Sequence, residues 1–382
     1  MKNRPRVLID SFHLIQALTG IRTYTVQLLS GLEELDQSEV EYIIYPNWRK
    51  LNSTSFLRGK VNPLKKILNH VLYFVWKQVV LPTLILFKRV DLVVTIDYLL
   101  PYMKFGARSI TVFHDTFYWE LKGNYNPLWR AYFLKSVKAG LDGDTQIVVT
   151  TNYIGDKVKR IITDEHQLRV VYQAPKELPL SDEKPGISDL PEGAKYFLHV
   201  GIFESRKNID VLVRAFSQLI KQEYFKDFYL VLAGGRGVGI FHDDYSKILN
   251  LIHDLGIGHR VLMPGFVPDH QLGSLYKNAF AYVFPSREEG FGIPVIEAMR
   301  SEIPVIISNQ DALIEVANSS ASIFDMDDVD SLVECMLQLK NEESRDSWIN
   351  KGSKRAMAFS KDSFAETFHT VVKSALTTEV EK

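Results

Sequence analysis

The chain has 382 residues, 46% hydrophobic and 24% charged, with a formal net charge of -1. That length holds two domains with full cores, and the composition is that of an ordinary soluble globular protein. Cys335 is the only cysteine, which excludes an internal disulfide and suits a reducing compartment. The near-zero charge conceals two unlike halves. Residues 1–178 carry 24 Lys+Arg against 16 Asp+Glu (+8), and the remaining 204 carry 21 against 30 (-9). A basic half joined to an acidic half suggests different partners for each.

Taken in chain order, the N-terminus "MKNRPRVLIDSF" passes almost directly into a strand-like run, without the long apolar core of a signal peptide. Short β-rich runs follow at 6–10, 41–46, 91–97, 109–115 and 146–151, separated by helical patterns. The most apolar window, 67–87, is interrupted by Asn69, His70, Lys77, Gln78 and Pro82, so no transmembrane segment is expected. The stretch "PKELPLSDEKPGISDLPEG" (175–193) has four prolines and two glycines and reads as a linker. A second series of runs lies at 196–201, 228–235, 260–267, 279–286 and 303–308. Continuous apolar strands alternating with amphipathic helices predict parallel sheets covered on both faces. Two such series predict two doubly wound α/β domains, with ligands beyond the carboxyl ends of the strands and a cleft between facing domains as the default site.

The stretch "SREEGFGIPVIEAM" (286–299) stands at one such strand end. Gly290 and Gly292 permit close backbone approach, and Pro294 suits a helix's first turn. The N–H groups of that helix start make an anion site. Glu289 at the loop entrance and Glu297 about one turn into the helix are suited to accepting hydrogen bonds from hydroxyls. A ligand with phosphates in the middle and hydroxyl-rich groups at both ends, a nucleotide sugar, fits this order. A solvated loop followed by a dipole-favoured glutamate fits the spacing as well. In "VGIFESRKNIDVLVRAF" (200–216), Arg206 and Lys207 precede an amphipathic helix at another strand end. They could clamp a diphosphate leaving group, or be a solvated basic pair. Lys207 is expected at a loop tip, burying little surface. "AGGRGVG" (233–239) resembles a dinucleotide glycine fingerprint but is read as a tight strand exit. In the first half, Gly20 precedes a helix, and His114 and Asp115 close a strand; a lone histidine there is as readily structural as functional.

Together these segments resemble a retaining glycosyltransferase of the GT-B fold, family-4 type, in the style of bacterial polysaccharide and O-antigen transferases. The matching stretches are "TGIRTY", "WKQVVLP", "TVFHDTF", "VVTTNYIGDKV", "ESRKNIDVLVRAF", "VLAGGRG", "MPGFVPDHQLGSLYKNA" and "EGFGIPVIEAM", in family order over nearly the whole chain. The resemblance implies two Rossmann-like domains facing across a cleft. An acceptor domain would span 1–178, with a C-terminal helix at about 360–382 crossing back to it, and a nucleotide-sugar domain would span 192–359. Glu289 would contact the donor sugar and Glu297 the ribose. Arg206 and Lys207 would hold the diphosphate with amides of the Gly290, Phe291, Gly292, Ile293 loop. The turn Gly265, Phe266, Val267 would lie against the base. His114 would be the acceptor-side histidine, and Gly20 would lie near the donor phosphate. Many members carry an Arg where this chain has Ile202, which would place more of the phosphate grip on Arg206 and Lys207.

The resemblance further implies front-face attack, with the leaving phosphate taking the acceptor's proton. The donor would be a UDP- or GDP-linked sugar; no cofactor and no metal are expected, and the sequence contains no metal-ligand cluster. No acidic residue lies between Glu41 and Asp91, while residues 49–89 contain nine Lys or Arg. Within them Leu64, Ile67, Leu68, Val71, Leu72 and Val75 form one helical stripe. A basic amphipathic helix reads as binding an anionic membrane surface; an ordinary helix facing the sheet is the alternative. No nucleic-acid motif accompanies the basic run. The expected place is the cytoplasm, peripheral on the inner face of the membrane, with a glycan or polyprenyl-linked acceptor. A sugar-nucleotide epimerase of the same architecture, or a silent glycan- or lipid-binding protein, are the competing readings.

Overall fold

The structure is a computed structural model that describes residues 4–17, 20–54, 63–121, 123, 126–162, 167–179, 186–187, 189–236 and 243–377, with Pro63, Leu64, Lys66 and Ile67 described by backbone alone. It divides into two compact units, residues 1–174 with 360–382, and residues 175–359. The division falls just before the proline-rich stretch, which therefore belongs with the second unit.

The first unit holds a six-stranded parallel sheet. Its strands are β1 (Arg6–Asp10), β2 (Glu41–Tyr45), β3 (Leu92–Thr95), β4 (Arg108–Phe113), β5 (Thr145–Val149) and β6 (Gln167–Val170), in the spatial order β2-β1-β3-β4-β5-β6. The inner strands β3 and β5 are buried at every position, as expected of a sheet covered on both faces. β6 was missed in the sequence: it is a half-exposed edge strand of four residues and lacks the apolar run that marks its neighbours. The helix Lys361–Thr377 belongs to this unit, and it packs so closely on Gly20–Glu34 that a Cβ at Gly31 would stand 2.7 Å from that of Ala365.

The second unit repeats the plan with β7 (Tyr196–Val200), β8 (Tyr229–Ala233), β9 (Val261–Gly265), β10 (Ala281–Phe284), β11 (Val305–Ser308) and β12 (Ser322–Phe324), in the order β12-β11-β10-β7-β8-β9. The three-residue edge strand β12 also escaped the sequence reading. In each sheet the chain starts in the interior and reverses its direction of growth once. The reversal falls between β1 and β3 in the first sheet and between β7 and β10 in the second. Such switch points leave a crevice at the strands' carboxyl ends, because the flanking connections run to opposite faces. The glycine-rich exit of β8 is a packing feature. Gly234 has φ 154°, and a Cβ there would stand 1.7 Å from the Gly201 carbonyl. Residues 237–239 of that stretch lie outside the described residues.

The apolar window forms one continuous helical run from Pro63 to Lys88, with a π-turn at Trp76–Val80. The interruptions that argued against a spanning helix do not break it. Leu68–Lys88 is long and apolar enough to cross a bilayer, by length and composition only. One face of it is buried in the first unit instead, through Asn69, Tyr73, Lys77, Leu81 and Ile85. The stripe Leu68, Val71, Leu72 and Val75 is 40–53% exposed, so it does not face the sheet. Leu64 and Ile67 of the same stripe have no described side chains.

Candidate functional site

The second unit's switch point is occupied by two loops that interlock. After β7 the chain makes a short 3-10 turn at Ser205–Lys207, and Asn208 then takes the left-handed conformation (φ 54°) before the helix Ile209–Leu219. Asparagine tolerates that conformation better than most residues. After β10 come Ser286 to Gly292 and the helix Ile293–Arg300, with Pro294 in its first turn. The loops bond to each other reciprocally. Arg287 N–H donates to the Arg206 carbonyl (2.7 Å), the Arg287 guanidinium to the Ser205 carbonyl (2.9 Å), and Arg206 Nη1 to the Glu288 carbonyl (3.2 Å). Arg287 is itself held by Asp327 at 2.6 Å.

This interlock brings Arg206, Lys207 and Glu289 together. Glu289 Oε1 accepts from Lys207 Nζ at 2.6 Å and from Arg206 Nη1 at 2.9 Å. Burial works to raise the Glu289 pKa, but the Lys207 and Arg206 charges outweigh it and hold the carboxyl at about 2. Burial lowers the Lys207 pKa, and the Glu289 carboxylate acts against that. Lys207 is buried, with its ammonium 4.7 Å over the Phe284 ring. The expectation of a loop-tip lysine is therefore wrong: the 3-10 turn folds the side chain inward toward β10.

Glu297 lies on the inner face of its helix, 5% exposed, and accepts from Tyr276 Oη at 3.2 Å. Burial pushes its carboxyl up to about 6, against the nearby Lys176 charge. The two glutamates are thus chemically different: one is a carboxylate paired with two cations, the other a carboxyl that titrates at about 6. Gly292 has φ 95°, and a Cβ there would stand 2.6 Å from Leu313 Cδ2, so the turn into the helix requires glycine. Phe291 and Ile293 are buried, Phe291 against Phe359, and Gly290 lies between Glu289 and Phe291 in the same loop. Gly265 closes β9 with φ 75°, and the next residue, Phe266, holds its ring 79% exposed, with Val267 following.

The remaining two predicted residues belong to the first unit. Gly20 opens the helix Gly20–Glu34, and a Cβ there would meet nothing within 4 Å. His114 follows β4 and is buried, and its Nε2 lies 2.7 Å from the Ile96 carbonyl. A carbonyl only accepts, so Nε2 carries the hydrogen and Nδ1 the lone pair. Burial lowers its pKa to about 4, and the ring is neutral at neutral pH.

Sequence reasoning missed two groups. Glu204 accepts from Arg206 Nε at 2.8 Å and joins the charged cluster of the second unit. In the first unit, Lys77 fills the switch point between β1 and β3. It donates 2.6 Å bonds to Asp10 and to Asp97, while Tyr73 Oη donates to Asp97 and Trp76 Nε1 to Asp10 (2.9 Å). Burial opposes the charge on Lys77, but the two carboxylates outweigh it and raise its pKa; Asp97 is lowered despite its burial by Lys77. A lone lysine inside an apolar window, with aspartates ending two strand-like runs, was the available signal. Among the described residues, no group of three or more His, Cys, Asp or Glu is placed to hold a metal ion.

Residues 181–355 match the family model of the glycosyl transferases group 1. The chain is 30% identical over 263 residues to the O-antigen chain mannosyltransferase B of Escherichia coli, covering 66% of each chain. It is 26% identical over 342 residues to the O-antigen chain mannosyltransferase RfbU of Salmonella typhimurium, covering 84% of this chain and 87% of that one. In structure it resembles the sucrose-phosphate synthase of Thermosynechococcus elongatus with a TM-score of 0.71, over 97% of this chain and 99% of that one. At 19% identity this likeness shows the fold alone.

Proposed function

The chain belongs to the group 1 glycosyl transferases, with two Rossmann-like units of the GT-B type, and from that premise we propose that it is a retaining hexosyltransferase of cell-surface polysaccharide synthesis. Its donor is a nucleoside-diphosphate sugar, UDP- or GDP-linked, and its acceptor a glycan carried on a polyprenyl-type lipid. Both curated relatives named above are mannosyltransferases, so GDP-mannose is the first donor to test. The observation that carries the reading is the convergence of Arg206 and Lys207 on Glu289 at the second unit's switch point.

The chemistry follows from these groups. The bond between the sugar's anomeric carbon and the donor phosphate oxygen breaks, and the acceptor oxygen bonds to that carbon on the same face. The acceptor's proton passes to the departing phosphate oxygen. Negative charge grows on the diphosphate, where Arg206 and Lys207 stabilise it. Glu289, released from those cations, accepts from the sugar hydroxyls. Glu297 accepts from the ribose, and exposed Phe266 offers a face to the base. In the first unit, the Nδ1 lone pair of neutral His114 suits an acceptor-sugar hydroxyl. With two cations supplying the charge, the reaction needs no metal.

Incubation with nucleotide sugars and a lipid-extracted acceptor fraction tests the reading. Transfer or slow donor hydrolysis that persists in EDTA is the expected result. An isomerised sugar would point to the epimerase, and binding without turnover to a silent protein. Activity that vanishes in EDTA and returns with magnesium or manganese would sink the metal-free mechanism.

The finer localisation, peripheral on the cytoplasmic face of the membrane, rests on the outward apolar face of the first unit. Beyond the stripe described above, Val79, Leu86 and Phe87 are also exposed on that helix, Phe87 at 79%. Met103 and Leu128 are exposed on neighbouring segments, and the Phe74 ring lies tilted against that of Tyr132, centroids 6.2 Å apart. Lys65, Lys88 and Arg89 flank the face, suiting anionic headgroups. The protein should co-sediment with phosphatidylglycerol vesicles at low salt and release as salt screens the cations. A Val79→Glu/Phe87→Glu variant should lose that retention; co-sedimentation equal to wild type would exclude this face.

A further inference from the structure

The charged cluster at the second switch point is balanced before any ligand arrives. Arg206 and Lys207 bring two positive charges, and Glu289 and Glu204 bring two negative ones. Glu289 is shared by both cations, whereas Glu204 takes only the Arg206 Nε edge, at 2.8 Å. Glu204 is held firmly at that edge. Its N–H donates to the Ile202 carbonyl (2.9 Å), and its carbonyl accepts from Lys207 N–H (2.8 Å). Both side chains of this pair are about three-quarters buried, so solvent screens them only in part.

We propose that Glu204 is an internal counter-charge that limits the grip on a nucleoside diphosphate and so speeds the product's departure; this rests on the donor reading above. When a donor binds, Glu289 gains partners among the sugar hydroxyls and can leave the cations. Glu204 stands at the turn's own base, on the far side of Arg206 Nε from Nη1, and gains no such partner. It stays and cancels part of the positive charge that faces the phosphates. After transfer the diphosphate gives the proton it received to solvent and then carries more negative charge than in the donor, and a fully uncompensated Arg-Lys pair would retain it. Glu204 reduces that retention at the cost of some ground-state donor affinity. Its role is toward specificity for charge rather than toward the bond being made.

The test compares wild type, Glu204→Gln and Glu204→Asp by calorimetric titration with GDP, UDP and ADP, each alongside its nucleoside. Glu204→Gln keeps an oxygen to accept from Arg206 and removes only the charge. It should bind the preferred diphosphate roughly 5–10-fold more tightly, with the nucleoside's affinity unchanged, and product inhibition should strengthen by the same factor. Glu204→Asp keeps the charge and should stay within about twofold of wild type. Equal or weaker diphosphate binding by Glu204→Gln would overturn the assignment and leave Glu204 as an anchor of the turn. If wild type binds none of the three diphosphates, the donor reading itself fails, and this inference with it.

Discussion

Replacing Lys207 by alanine should lower turnover by roughly 10²–10³-fold, the scale for losing one preorganised donor at a site of developing charge. Lys207 also shares the Glu289 carboxylate with Arg206 and lies over the Phe284 ring, so the same change should destabilise the second unit. Breaking a buried ion pair costs about 3–5 kcal/mol when a charge is left bare. Here Arg206 remains at 2.9 Å, and the loss should fall below that range. Because Glu289 is held at about 2, below its ordinary 4.5, its ion pairs stabilise the fold above that ordinary value. That stabilisation is lost as pH falls through 4.5 toward 2, and the variant should show a smaller loss over the same interval. Lys207→Met, which retains the apolar stem, separates the two effects: its melting temperature should recover part of the way and its turnover should not. Full activity in Lys207→Met would remove the lysine charge from the mechanism.

Lys77→Met should have the largest effect on stability of any single change in the first unit. Lys77 is 1% exposed and bridges both Asp10 and Asp97 at 2.6 Å. Removing it leaves two carboxylates buried side by side, at a cost of about 3–5 kcal/mol. The pH dependence gives a distinctive signature. In the wild type, Lys77 is raised above its ordinary 10.5 and Asp97 lowered below its ordinary 3.8. The triad therefore stabilises the fold between those values, losing strength as pH falls through the lower or rises through the upper. In Lys77→Met the orphaned carboxylates take up protons more readily in the folded state than in the unfolded one. The variant should gain stability as pH falls from 8 to 5, where the wild type's triad contributes a constant amount. Urea unfolding at several pH values measures this. A loss below about 1 kcal/mol, flat with pH, would mean that the triad does not hold the helix to the sheet.

Much of this protein can be read along the chain because parallel sheets and helix starts have local signatures. Of the twelve strands among the described residues, ten announce themselves as apolar runs, since strands covered on both faces have no polar alternation to blur them. Gly292, Pro294 and the two glutamates could be placed on the loop and first helical turns because a strand–loop–helix transition constrains residue types one by one. The edge strands β6 and β12 were not legible, being short and, in places, exposed. Strand order was equally out of reach: adjacency of β7 and β10 joins residues more than 80 positions apart, and only that adjacency brings Arg206 and Lys207 onto Glu289. The same holds for Lys77. Its helix looks amphipathic in the usual sense, yet the stripe Leu68, Val71, Leu72 and Val75 faces outward while Asn69, Tyr73 and Lys77 face in. Periodicity reports that a helix has two faces but not which one is buried. The sheet decided that, by placing Asp10 and Asp97 at neighbouring strand ends where only a cation could satisfy them.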